Sequence, residues 1–154
     1  MKEIQVQLDA SGKRFAIVAS RFNELIVDPL IQGARGTLLS LGAQDDDLSL
    51  FRVPGAFEIA GAAARAIRSG KFDAVICLGA VIRGATPHFD YVAGESAKGI
   101  SKLASESDVP VIYGVITTDT IEQALERAGT KAGNKGADAA FAAVEMLRLY
   151  EEMS

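Results

Sequence analysis

At the start of the chain Ile4, Val6 and Leu8 alternate with Glu3, Gln5 and Gln7, the period-two pattern of a strand with one wet face. Such a strand can sit at a sheet edge or pair with a neighbouring subunit. The later apolar runs do not alternate. Phe15 to Ala19, Leu48 to Val53, Ala74 to Ala80 and Val109 to Ile116 read as short strands, most of them buried on both faces. Between them the period changes to that of a helix. Leu30, Ala34, Leu38 and Leu41 form one stripe, on a helix that begins at Asn23 or at Asp28 with Pro29 as its first residue. Phe57 to Arg68 is a second, alanine-rich helix. A third places Val92, Ser96, Gly99, Ile100 and Leu103 on one face. A short helix, Thr120 to Ala128, is closed by Gly129. The last, Asn134 to Met153, is expected to bury Ala137, Ala140, Phe141, Val144 and Leu147.

Strands alternating with helices predict a three-layer α/β fold: a four-stranded parallel sheet with helices on both faces, flavodoxin-like, plus the N-terminal strand. No linker or repeat interrupts residues 1–154, so a single domain is expected. Ligands of such sheets bind at the carboxyl ends of the strands. The loops at those ends are Ser20 to Asn23, Val53 to Glu58, Ala80 to His88, and Thr117 to Asp119.

Composition narrows the function. The net charge is −4 and no basic cluster stands out, which argues against nucleic acid or an anionic membrane as the partner. One Cys and one His exclude a zinc cluster within one chain. Cys77 lies inside an apolar strand and reads as a core residue. The N-terminus lacks a signal-peptide pattern and no run is long enough to span a bilayer, so a cytoplasmic protein is expected.

Candidate chemistry concentrates between Gly79 and Tyr91. A glycine-bearing loop runs from a strand into a helix, with Thr86 and Pro87 as its predicted cap and first residue. Free N–H groups at such a junction suit a phosphate. His88, in the first helical turn, is placed to move protons on whatever carries that phosphate. Phe22 is either a staple under its loop or a flat plate for a planar ring. Glu58 either satisfies a helix dipole or accepts from ligand hydroxyls. The segment Glu126 to Gly136 is rich in Lys and Gly but lacks the spacing of a P-loop. Asp45-Asp46-Asp47 reads as a solvated loop. The short helix runs back from the carboxyl edge of the sheet. Arg127, at its far end, should therefore lie distant from His88 of the same chain. One ligand touching both would need two subunits.

Ser20-Arg21-Phe22-Asn23, Val53-Pro54-Gly55-Ala56-Phe57-Glu58, Gly79 to Thr86 with His88, and Glu126 to Gly136, in that order and spacing, resemble the lumazine synthase family of riboflavin biosynthesis. The resemblance runs from about Phe15 to the last helix. It implies a transferase that condenses 5-amino-6-(D-ribitylamino)uracil with 3,4-dihydroxy-2-butanone 4-phosphate, giving 6,7-dimethyl-8-ribityllumazine, phosphate and water. No metal or organic cofactor is implied.

By the same resemblance Phe22 stacks on the pyrimidine. Ala56, Phe57, Glu58, Ala80, Val81 and Ile82 hold the ribitylamino-uracil, and Tyr113 covers it from a neighbouring subunit. Ala85, Thr86 and Arg127 bind phosphate, with Lys135 as a weaker candidate, and His88 transfers protons. Tyr113 stands where the family usually has Phe. The implied assembly is a homopentamer, with many members building an icosahedral shell and riboflavin synthase as a cargo. The rival readings are a non-catalytic flavin- or lumazine-binding module and a structural cage. The acidic cluster of a signalling receiver is missing: the relevant strand ends read Ala19-Ser20-Arg21 and Gly79-Ala80-Val81.

Overall fold

The computed structural model describes residues 1–154. Its strands are β1 (Phe15–Ser20), β2 (Leu48–Val53), β3 (Ala74–Ile82) and β4 (Val111–Thr118). Its helices are α1 (Glu24–Ser40), α2 (Ile59–Arg68), α3 (His88–Glu106), α4 (Ile121–Arg127) and α5 (Lys135–Met153). All strand pairings are parallel, in the order β2-β1-β3-β4.

β1 is buried at every position, and β3 at every position but Ile82. Their side chains point alternately to the two sides of the sheet, and each side has its own core. Phe15, Ile17 and Ala19 join Leu30 and Leu38 of α1 and Val144 of α5. Ala16 and Val18 join Ile59 of α2, Ile100 of α3, Val75 and Cys77. This is the three-layer arrangement that the hydrophobic pattern predicts. Burial pushes the Cys77 thiol up to about 12, which keeps it protonated and inert.

Several boundaries differ from expectation. The N-terminal alternation forms no strand within the chain: residues 1–10 pair with neither sheet edge, and Ile4 and Leu8 are exposed. A strand needs a partner ladder, and this chain offers none at that place. Of the two starts expected for α1 the one at Asn23 is observed: Asn23 is the cap of a helix that begins at Glu24, and the Asp28-Pro29 signal falls inside it. The Phe57-to-Arg68 helix opens with a short 3₁₀ turn, Ala56–Glu58. β3 and β4 each end two residues beyond the predicted strands, as parallel pairing continues through Val81–Thr117 and Ile82–Thr118; Val81 and Ile82 are still apolar, whereas Thr117 and Thr118 are not. In α5 Phe141 is exposed and Ala137 only half-buried, while Gly136, Ala139 and Ala143 turn inward. The small residues face the crossing with α1, where the backbones approach too closely for a ring.

That crossing is tight. Asn134 caps α5 by accepting from the N–H groups of Gly136 (2.8 Å) and Ala137 (3.1 Å), and its Nδ2 donates to the Pro29 carbonyl of α1 at 3.0 Å. A Cβ on Gly136 would collide with the Leu30 carbonyl. Gly36 of α1, by contrast, is exposed and has open space where its Cβ would stand. Gly136→Ala should therefore lower stability by roughly 1–3 kcal/mol. Gly36→Ala should raise it by roughly 0.5–1 kcal/mol. Urea midpoints measured at unchanged slope check both signs.

Candidate functional site

The order β2-β1-β3-β4 makes β1 and β3 neighbours whose chains leave the sheet on opposite sides. A crevice opens between their carboxyl ends. Asn23 spans it: its Nδ2 donates to the Ala80 carbonyl at 2.8 Å. Asn23 is also the only non-glycine residue with positive φ, at 64°. That left-handed residue turns the chain from β1 into α1 and lifts Phe22 out of the sheet, leaving its ring 72% exposed.

A cavity of about 850 Å³ fills this crevice, lined mostly by apolar groups. Phe22 and Phe57 present exposed rings to it. Ala56, Glu58, Ala80, Val81 and Ile82 line its wall, and Thr86 and His88 stand at the α3 end. An apolar cavity with exposed ring faces and few polar groups suits a flat heterocycle with a polar edge.

Glu58 has a local task as well. Its Oε2 accepts from the Gly55 N–H at 3.0 Å and closes the Val53-to-Glu58 loop, leaving Oε1 for a ligand. The local reading of Glu58, as a residue serving its own helix start, is the one observed.

α3 starts one residue later than its sequence suggests. Pro87 occupies the cap position, no side chain caps the helix, and His88 is the first helical residue. Thr86 is thus a loop residue, with its hydroxyl uncommitted to a cap. None of the N–H groups of Gly84, Ala85 and Thr86 finds a main-chain acceptor. Unpaired donors beside a helix N-terminus are a geometry that suits an anion. Ala85 is exposed and does not line the cavity wall, so only its backbone can serve a ligand.

Tyr113, Arg127 and Lys135 lie elsewhere. They line a separate cavity of about 430 Å³ between the edge strand β4 and α5, which has no residue in common with the first. Arg127 is the last residue of α4, a helix started by a capping box in which Thr120 Oγ1 accepts from Gln123 N–H at 3.2 Å. Its Nη1 donates to the Gln123 carbonyl at 2.8 Å, which fixes the guanidinium and leaves its other N–H groups without a protein acceptor. Lys135 Nζ stands 3.2 Å from Asp138 Oδ2 in the same cavity. Burial raises the Tyr113 phenol above its ordinary value, so it remains a hydrogen-bond donor. The predicted separation of Arg127 from His88 is present in the fold.

Asn23, Phe89, Tyr91, Val92 and Ile121 also line the first cavity, and no site role had been expected of them. Asn23 carried a signal, since Asn is the side chain that best tolerates left-handed backbone. The others become lining residues through the path of α3 and α4, which side-chain type does not announce.

The fold and cavity define a ligand-binding α/β protein of the flavodoxin-like kind, with its crevice at the switch point of a parallel sheet. A family model described as 6,7-dimethyl-8-ribityllumazine synthase matches residues 12–151. A protein of that description from Nautilia profundicola is 53% identical over 154 residues, covering 99% of this chain and all of its own. Another from Desulfatibacillum aliphaticivorans is 55% identical, covering 97% of this chain and 96% of its own. A third, from Clostridium kluyveri, is 55% identical over 99% of both chains. The chain belongs to the 6,7-dimethyl-8-ribityllumazine synthase family.

The left-handed turn at Asn23 makes a graded prediction. Asn23→Gly loses the bond to Ala80, about 0.5–1.5 kcal/mol. Asn23→Ala loses that bond and adds strain of roughly 1–2 kcal/mol. Urea denaturation should rank stability as Asn, then Gly, then Ala. Equal stability of the Gly and Ala variants would mean that the positive φ is not maintained.

Proposed function

We propose that this chain condenses 5-amino-6-(D-ribitylamino)uracil with 3,4-dihydroxy-2-butanone 4-phosphate, releasing 6,7-dimethyl-8-ribityllumazine, phosphate and water. The observation that carries the reading is the pairing of exposed ring faces with His88 in one crevice, beside a turn of unpaired N–H groups. Phe22 stacks on the pyrimidine. Ala56, Phe57, Glu58, Ala80, Val81 and Ile82 seat its edge and the ribityl chain. The N–H groups of Ala85 and Thr86 hold phosphate.

The chemistry asks for what these residues supply. Amine addition to the ketone, loss of water to an imine, elimination of phosphate and ring closure are steps of proton transfer. His88 stands beside the anion seat, where a proton is needed as phosphate leaves. Holding two substrates face to face removes the entropic cost of their encounter.

Arg127, Tyr113 and Lys135 complete the site from a second copy of the chain. Their cavity is separate from that of His88 and carries the guanidinium that suits phosphate. Repetition of this contact closes a homopentamer. The short connection from Gly129 to Gly136 supports assembly of pentamers into an icosahedral shell, with riboflavin synthase as its cargo. The N-terminal segment, with Ile4 and Leu8 exposed, is available to pair with a neighbour. A cytoplasmic location is part of the same proposal.

Mixing the two substrates with purified protein and following lumazine absorbance tests the reaction. His88→Ala should fold normally and lower kcat toward the small end of the ~10²–10⁴-fold range of a positioned acid or base, since water can carry part of the load. An unchanged kcat across pH would remove His88 from the mechanism. Arg127→Ser should weaken use of the butanone phosphate roughly ten- to a hundredfold, Arg127→Lys less, with little effect on the uracil. Refolded mixtures of Arg127→Ser and His88→Ala subunits should exceed both parents in activity. If mixed assemblies confirmed by mass spectrometry never do, the two residues do not meet across an interface.

A further inference from the structure

Arg83 belongs to the loop that carries the anion seat, yet it lines neither cavity. Its contacts all face the frame. Its main-chain N–H donates to the Thr118 carbonyl at 2.9 Å, tying the loop to the end of β4. Its Nε donates to Asp119 Oδ1 at 2.8 Å, and its Nη1 lies 3.5 Å from Asp90 Oδ1. The guanidinium carbon stands 4.4 Å from the centre of the Phe89 ring. One planar group thus touches the β4–α4 connection on one side and the first turn of α3 on the other.

His88 sits between the two ends of this clamp. In residues 84–87 the N–H groups of Gly84, Ala85 and Thr86 find no main-chain acceptor, and the Pro87 carbonyl accepts from Asp90 N–H at 3.0 Å, within the first turn itself. The α3 N-terminus also lacks a side-chain cap. The first turn of α3, which carries His88, is held by Phe89 packing against the core and by Arg83, which touches both Phe89 and Asp90.

We infer that Arg83 is a positioning residue: stacked on Phe89 and paired with Asp119, it sets where His88 meets the reacting atoms. The inference rests on the assignment of proton transfer to His88. A planar guanidinium is needed, because stacking and an in-plane bond to Asp119 must be made together, which an ammonium cannot do. The side chain is 48% exposed, so its pairs add little to stability. Its removal should disturb placement without unfolding the chain.

The test is a double-mutant cycle on the assembled enzyme. Arg83→Gln should lower kcat about tenfold, since displacement of a catalytic group by about 1 Å can cost ~10²-fold. The KM for the ribitylamino-uracil should stay within a factor of two, and the melting temperature should hold. Arg83→Lys should not restore the rate. Asp119→Asn, which keeps the side chain's shape, should move kcat the same way by a smaller factor. In a His88→Ala background Arg83→Gln should have no further effect on kcat, because the group it places is gone. If Arg83→Gln slows the enzyme equally with and without His88, Arg83 does not act through it. If Arg83→Lys behaves as wild type, charge alone suffices and the clamp is wrong. If His88→Ala itself leaves kcat unchanged, the assignment of His88 fails first and this inference with it, a result told apart by that single variant.

Discussion

β1 and β3 run side by side for five paired residues, from Phe15–Ala74 to Ala19–Leu78, and then part. β1 feeds α1 on one face of the sheet; β3 feeds α3 on the other. Backbone that diverges in this way cannot fill the space it opens. The gap is bridged by one side-chain bond, from Asn23 to the Ala80 carbonyl. Every other feature of the crevice follows from that divergence. Phe22 is lifted over the gap by the turn that starts α1, and the loop after β3 crosses its far end on the way to α3. The cost is a left-handed residue, a feature a chain under selection for stability alone would remove.

The two cavities differ in chemistry as they do in place. The crevice between β1 and β3 is walled by Phe22, Phe57 and apolar backbone, with His88 at one end. The cavity against β4 carries Arg127, Lys135 and Asp138. The first combines ring faces with His88 and a turn of unpaired N–H groups; the second holds the charged side chains of Arg127, Lys135 and Asp138, and a single copy of the chain keeps these two sets apart.

Much of this was legible in the residues. The buried strands gave the parallel sheet, and the four loops at their carboxyl ends contained most of the residues that now line the crevice. The distance of Arg127 from His88 followed from the direction of a single short helix. What the pattern concealed was set by partners remote in sequence. β4 runs past its apolar stretch into Thr117 and Thr118 because β3 supplies its hydrogen bonds there. Phe141 faces out because the α1–α5 crossing admits only small side chains. Thr86 and Pro87 look like a helix start, yet the helix waits for His88, with Phe89 and Asp90 tied to Arg83. The N-terminal alternation is a strand pattern without a strand in this chain, since period two describes what a segment could pair with and not whether a partner is present.

The separation of the two cavities has an arithmetical consequence. If the crevice of one copy is completed by the β4 face of the next, contacts run head to tail, and complete sites are counted by junctions and not by chains. An open row of n copies then has n − 1 working sites and two idle half-sites at its ends. Closing the row into a ring adds the missing site without another chain. Ring closure is then part of the catalytic inventory, and an open fragment is penalised most when it is shortest.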